Sequence, residues 1–345
     1  MRAPSYRVVQ WATGNIGTRS LQAVIEHLAM TLAGVYVHSP DKVGRDAGDL
    51  CGLGVTGVLA TNDIEEVVAL GADCVLYMPR ACNYDEVCRL LESGSNIVTT
   101  RGEFHRPETL PSDVRARVEA ACAAGGTSIH STGSSPGFIS EAVPLVLTSL
   151  QRRLDCLTID EFADLSSRDS PDLLFNIMGY GRAPTAFDER RLEHGRTSFG
   201  PSLQLVADAL SMPLDSVEAG GEFATTSRDV EIAAGTIEAG TVGAQRITVS
   251  GMRDGRAVLR FRATWYCTTE VDADWDLRAT GWRVLVEGDT PLDVQISFPV
   301  PAERWAETSP GLTAHRAVNA VPVVCEAAPG IRTTVDLPQV IAMLG

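Results

Sequence analysis

Two short stretches of this sequence carry most of the chemistry it can be read for. The first is Trp11-Ala12-Thr13-Gly14-Asn15-Ile16-Gly17. It follows the apolar run Arg7-Val8-Val9-Gln10-Trp11 and precedes Leu21, Val24, Ile25 and Leu28, which recur at helical spacing. Glycines at a strand–helix junction let backbone amides close on a pyrophosphate. The start of the helix adds its positive dipole and unpaired N–H groups. Thr13, Gly14, Asn15, Ile16 and Gly17 are therefore candidate phosphate contacts, with an ordinary tight turn as the bland alternative. Ala12 stands where the full dinucleotide fingerprint has its first glycine. That alters the path of the turn and leaves the contact at Gly14 to Gly17.

The second stretch lies about 20 residues beyond the turn, where cofactor choice is made. A carboxylate there would bind the ribose hydroxyls of NAD. This sequence offers His38, Ser39 and Lys42, with Arg45 shortly after. A hydroxyl and two cations suit a 2′-phosphate, which favours NADP and keeps NAD as the other possibility. Taken alone, Lys42 and Arg45 each read equally well as solvated loop charges. Met78, Pro79, Thr100 and Gly133 lie near the ends of later strands and complete the expected cofactor contacts. Glu103, in Thr99-Thr100-Arg101-Gly102-Glu103-Phe104-His105-Arg106-Pro107, lies just past a strand's C-terminal end, where open α/β sheets place ligand chemistry. By itself it reads as a loop charge near Arg101 and Arg106. His105 is a second candidate acid or base, and also reads as an exposed loop histidine. His130 reads as structural. Phe138, Asn176, Met178 and Tyr180 are candidate walls of a substrate pocket; aromatic and methionine residues serve as often in a core.

These residues need strands and helices in alternation to position them. Strands are expected at Leu32-Ala33-Gly34-Val35-Tyr36-Val37, Gly57 to Ala60, Cys74 to Met78, Ile97 to Thr100 and Ser128 to His130, with helices at Ile64–Leu70, Tyr84–Glu92 and Val114–Ala124. Short connections between them imply a parallel sheet covered on both faces, a doubly wound Rossmann-type α/β domain. After Gly133-Ser134-Ser135-Pro136-Gly137 comes an apolar helix, Phe138 to Leu150, and then β-rich sequence. Arg253-Asp254-Gly255 between two apolar runs signals a hairpin, and Trp282–Gly288 with Leu292–Phe298 a second. Consecutive hairpins give a largely antiparallel open sheet, hence an α+β substrate domain. Gly311 to Val324 is helical again and is expected to return to the first domain. The expected division is 1–136, 137–308 and 309–345.

Composition narrows the function classes. At 345 residues the chain is long enough for two domains. A net charge of −15, with no basic run longer than a pair, argues against nucleic acid. No run of 18 apolar residues offers a membrane span. Met1-Arg2-Ala3-Pro4-Ser5-Tyr6 lacks the apolar stretch of a signal peptide, so the expected location is the cytoplasm. The 8 cysteines form no Cys-x-x-Cys pair and read as reduced thiols, with no metal site expected.

Together, Val9-Gln10-Trp11-Ala12-Thr13-Gly14-Asn15-Ile16-Gly17 and Ser39-Pro40-Asp41-Lys42-Val43-Gly44-Arg45-Asp46 resemble the dihydrodipicolinate-reductase-like superfamily. The branch they look most like holds the 2,4-diaminopentanoate dehydrogenases and native amine dehydrogenases. The likeness continues through Ser135-Pro136-Gly137-Phe138 and Met178-Gly179-Tyr180-Gly181. It implies a homodimer paired through the open sheet, and an enzyme that interconverts a small primary amine with a ketone or aldehyde plus ammonia. It places Glu103 beside the nicotinamide as the catalytic carboxylate. Dihydrodipicolinate reductases use a histidine and lysine motif in the second domain; here no lysine follows Lys42. Reduction of another C=N, C=C or C=O bond, and a non-catalytic nucleotide sensor, are the alternative functions. Nothing in the sequence separates an alkyl amine from a diamine or an amino acid.

Overall fold

The structure is a computed structural model that describes residues 5–344. Met1 to Pro4, on which the reading of the N-terminus rests, and Gly345 lie outside the described residues. The chain begins β1 (Tyr6–Trp11), α1 (Asn15–Ile25), β2 (Met30–Tyr36), α2 (Ala47–Cys51), β3 (Ala60–Thr61) and α3 (Ile64–Ala69). Then come β4 (Cys74–Tyr77), α4 (Tyr84–Glu92), β5 (Asn96–Thr99), α5 (Ser112–Gly125) and β6 (Ser128–Ser131). After an irregular helical stretch at Ser134–Ala142 follow α6 (Val143–Thr148), β7 (Leu154–Asp164), α7 (Glu189–Ala209) and β8 (Ser216–Thr225). The small hairpin β9 (Val230–Ile232) and β10 (Gly235–Ile237) leads to β11 (Val242–Arg253), β12 (Arg256–Tyr266), β13 (Gly281–Gly288) and β14 (Leu292–Ser297). The chain closes with α8 (Ala302–Cys325) and β15 (Gly330–Arg332). Two compact units result: the chain up to Phe138 with the part from Ala306 onward, and Ile139–Trp305.

The first unit is a 7-stranded sheet in the order β15-β6-β5-β4-β1-β2-β3. Every pairing in it is parallel. Neighbouring residues on one strand serve opposite faces. Val9, Trp11, Val75, Tyr77 and Ile97 pack into a core with residues of α4 and α5. Val8, Cys74, Leu76 and Val98 pack into a second core with Val24 of α1 and Ala317, Val321 and Val324 of α8. Burial on both faces is why these strands read as near-continuous apolar runs. Sharp starts set the helices between them: Asp63 accepts from the Glu65 amide and Asn83 from those of Asp85 and Glu86. The last strand, β15, is supplied from the far end of the chain and is absent from the sequence reading.

The second unit holds a 6-stranded sheet, β14-β13-β7-β12-β11-β8, antiparallel except at β7–β12. The expected hairpin turn is present: Asp254 and Gly255 both take positive φ, +51° and +70°, which matches the right-handed twist of the flanking strands. Helix α7 lies on one face of the sheet. There Gly195 sits over Ile247 and Phe199 stacks on Phe261 at 3.8 Å. The opposite face carries Asp160, Arg246, Arg260 and Arg262, the alternate residues on β7, β11 and β12.

Two expected elements differ. The helix expected at Phe138–Leu150 is α-helical only over Val143–Thr148; the residues up to Ala142 belong to an irregular helical stretch that is kinked at Ser135, Pro136 and Gly137. The third strand is only Ala60–Thr61. Helix α7 spans 21 residues and was not read at all, because Gly195, Gly200 and Pro201 interrupt its pattern.

Candidate functional site

The turn after β1 is built by close approach. Ala12 takes φ of +71°, unusual for a residue with a side chain, and swings the chain into α1. A methyl group on Gly17 would overlap the carbonyl oxygen of Ala12, so glycine is required there for α1 to pack on the turn. Gln10, fully buried, braces the same carbonyl with Nε2 at 2.9 Å. The sequence signal for Gln10 was available as a lone amide in an apolar strand, and was missed. Gly14 is different: a methyl there meets no atom within 4 Å. Gly14 is the N-cap of α1, which has no side-chain cap and no acidic residue in its first turn. The first amides of a helix have no partner within it. These are therefore donors facing open space on a positive helix end, and they fit a phosphate. Trp11 does not obstruct them. Its ring stacks on Tyr36 at 3.6 Å and packs toward the α4 and α5 core.

The loop after β2 comes to this turn. Lys42 Nζ donates to the Thr13 carbonyl and to Thr13 Oγ1, both at 3.1 Å, and Thr18 Oγ1 donates to the same carbonyl. Lys42 is thus half-buried on the turn after β1, whereas His38, Ser39 and Arg45 are exposed. Met78 and Pro79 are buried at the end of β4, with the Met78 amide bonded to the Trp11 carbonyl at 3.1 Å. Thr100 is half-buried. Gly133 packs against Thr313 of α8, whose hydroxyl lies 2.7 Å from Ser134 Oγ.

Glu103 occupies a single 3₁₀ turn, Gly102–Phe104, beyond β5. The fully buried Phe104 pins that turn and meets Tyr84 edge-on. Glu103 Oε1 accepts from Arg101 Nη2 at 2.7 Å, and Oε2 is buried with no hydrogen-bond partner among the described residues. Arg101 is itself held: Nη1 donates to the Arg80 carbonyl, its amide donates to Thr99 Oγ1, and its carbonyl accepts from Ser131 Oγ. The neighbouring Cys82 thiol is pushed up to about 12 by burial and then by the Glu103 charge. His105 is buried, which corrects its reading as an exposed loop histidine. His130 Nδ1 lies 2.7 Å from the Arg332 carbonyl, tying β6 to β15. Phe138 carries the Arg316 guanidinium above its ring at 5.8 Å.

In the second unit the candidate pocket residues have separate environments. Asn176 is exposed, and its amide is occupied by Asp172 and Arg182, each at 2.9 Å. Tyr180 is fully buried. Its hydroxyl donates to the Trp265 carbonyl and accepts from Gln245 Nε2, and burial holds its pKa well above the usual range. Met178 is half-buried, and its carbonyl accepts from Arg191. No group of His, Cys, Asp or Glu suited to a metal occurs among the described residues, and no helix there is long and apolar enough to cross a membrane.

Comparison with known proteins adds four findings. The family model for the 2,4-diaminopentanoate dehydrogenase C-terminal domain matches residues 138–345. An amine dehydrogenase of Streptomyces virginiae is 30% identical over 344 residues, covering 96% of this chain and 95% of its own. A 2,4-diaminopentanoate dehydrogenase of Acetoanaerobium sticklandii is 21% identical over 267 residues, 76% of this chain and 72% of its own. Among solved structures, the amine dehydrogenase from Mycobacterium smegmatis superposes with a TM-score of 0.74 at 19% identity, covering 99% of this chain and 98% of that one. A doubly wound sheet with a phosphate-ready turn, a second unit matched by the C-terminal model, and a relative similar along nearly its whole length agree: the chain belongs to the amine dehydrogenase and 2,4-diaminopentanoate dehydrogenase family.

Proposed function

We propose that this protein is an NADP-dependent amine dehydrogenase. It converts a small primary amine and water to a ketone or aldehyde plus ammonium, and in reverse performs reductive amination. When bound, the nicotinamide nucleotide supplies the hydride chemistry. Thr13, Gly14, Asn15, Ile16 and Gly17 would hold its pyrophosphate, and Ser39, Lys42 and Arg45 a 2′-phosphate. The observation that carries the reading is the free oxygen of Glu103. Arg101 occupies Oε1, which leaves Oε2 buried and without a partner. A carboxylate oxygen in that state is ready to stabilise a cationic iminium, orient an ammonium, and take a proton from attacking water. Phe138 and Met178 are assigned to the surroundings of the substrate, and Tyr180, fully buried with its hydroxyl bonded to the Trp265 carbonyl and to Gln245, to the support behind them. Asn176 is assigned to the same surroundings with less support, because its amide is already engaged. A homodimer using the polar second face of the sheet, and a cytoplasmic location, belong to the same proposal. The location is supported by eight free thiols.

The test is ammonia-dependent oxidation of NADPH against a panel of small ketones and aldehydes. Turnover that requires ammonia and falls by about 10²–10⁴ in Glu103→Gln, with NADPH affinity nearly unchanged, supports the proposal. Oxidation without ammonia would make the protein a carbonyl reductase. A Glu103→Gln variant as active as the parent would remove Glu103 from the mechanism.

A further inference from the structure

The loop that follows β2 is organised by a residue that does not belong to the turn it serves. Asp46 lies beside the exposed Arg45 and is 9% exposed. Its Oδ1 accepts from the Gly48 amide at 2.8 Å and from the amide and hydroxyl of Thr56, both at 3.0 Å; Oδ2 accepts from the Gly57 amide at 2.8 Å. One carboxylate thus caps α2 and also gathers the loop at 54–57 back against it. The closeness is tight: a methyl on Gly48 would overlap the Gly54 carbonyl. Backbone bonds extend the clamp on both sides. The Gly44 amide reaches the Ala60 carbonyl at 2.7 Å, the Ala60 amide the Arg45 carbonyl at 2.9 Å, and the Ala47 amide the Val58 carbonyl at 2.8 Å. Arg45 is therefore held by its own backbone at the sheet edge, with its side chain exposed. Lys42, bonded to the Arg45 amide through its carbonyl, is held on Thr13.

We infer that Asp46 is a specificity-determining positioning residue: by fixing residues 42–47 against 56–60, it presets Ser39, Lys42 and Arg45 as a binding site for the 2′-phosphate of NADP. It acts through these residues and does not itself contact the cofactor, since its oxygens are filled by backbone and Thr56. Burying a carboxylate is costly unless its lone pairs are satisfied, and here four donors satisfy them. A preset cation pair binds a dianion better than a mobile one, because the ordering cost is met before the ligand arrives. The same donors, with the Thr56 amide foremost, hold the Asp46 carboxyl below its ordinary range, so the clamp stays charged wherever the enzyme works.

The inference rests on the NADP reading, and the experiment separates the two. Wild type, Asp46→Ala, Asp46→Asn and Thr56→Val would be compared for the Kd of NADPH and of NADH by fluorescence titration, which requires no turnover, and for kcat and KM with each. The expected result is a fall of about tenfold in the NADPH-to-NADH ratio of kcat/KM for Asp46→Ala, carried by KM for NADPH with kcat nearly kept. Asp46→Asn keeps one acceptor face and turns an N–H toward the Gly57 amide, so it falls between. Thr56→Val, which removes one of the four donors to Asp46 and the acceptor of the Val58 amide, gives about a twofold fall and carries the test if Asp46→Ala does not fold. A clamp that merely stabilised the fold would lower both cofactors together and leave the ratio unmoved; that outcome overturns the inference. A wild type that favours NADH overturns the NADP reading and this inference with it, whereas a wild type that favours NADPH beside unmoved variants overturns this inference alone.

Discussion

At the residue scale, the two glycines of the turn after β1 sit in different surroundings. Gly17 serves the protein, because any side chain there strikes the Ala12 carbonyl. Gly14 faces open space at φ −75°, an angle alanine adopts freely, so the packing of the protein does not itself require glycine there. Gly17→Ala should lower thermal stability by about 1–3 kcal/mol, as overpacking does. Gly14→Ala should leave the melting temperature in place and weaken NADPH binding, which fluorescence titration would measure. Equal effects of the two on stability would remove the distinction. Asp46 gives a pH prediction. Its folded pKa is depressed, so its contribution is fully present above the unfolded carboxylate value of about 3.9 and is lost as pH falls through the lower folded value. The stability gap between wild type and Asp46→Ala should therefore be flat from about pH 8 to 5 and shrink only below about pH 4 in urea titrations. A gap already closing near neutrality would point to a different group.

Among the elements, the second sheet is pinned across its one parallel junction. Arg262 on β12 forms two bonds, 2.5 and 2.7 Å, to Asp160 on β7, and that carboxylate is 2% exposed. Arg262→Met should cost about 3–5 kcal/mol by leaving the buried Asp160 carboxylate without its two-bond partner, and the double variant Arg262→Met with Asp160→Leu should recover much of it. Chemical denaturation of both would decide; equal losses would mean that the pair's packing, not its charge, matters. The strands on either side were legible because period-two patterning and the Asp254-Gly255 turn are local signals. Helix α7 was not, and the reason lies in the residues that hid it. Gly195 and Gly200 depress helix propensity, yet in the fold they admit Ile247, Val249 and Val217 close to the helix axis. Pro201 sits inside the same helix. Tertiary packing overrode a weak local preference.

For the whole molecule, composition becomes a tool. Lys42 is the single lysine in 345 residues. An amine-reactive acylating reagent should add one side-chain group, at Lys42, and saturating NADPH should slow that reaction; peptide mass mapping would read both. Unchanged labelling with the cofactor bound would remove Lys42 from the cofactor site. The proposed homodimer is open to light scattering, with a mass near 36.8 kDa as the result that would deny it.

The sequence by itself determined the parallel α/β domain, the tight turn between β1 and α1, the hairpins and the position of Glu103 after a strand, because each is encoded within a few consecutive residues. The tertiary structure decided what depends on distant partners. It brought Lys42 onto Thr13 across 29 residues, Thr56 and Gly57 onto Asp46, and β15 onto β6 from the far end of the chain. It also fixed which oxygen of Glu103 is left free, since that depends on where Arg101 is held by Arg80 and Ser131. Hydrophobic period and turn chemistry are local, but a hydrogen-bond partner is chosen by the fold.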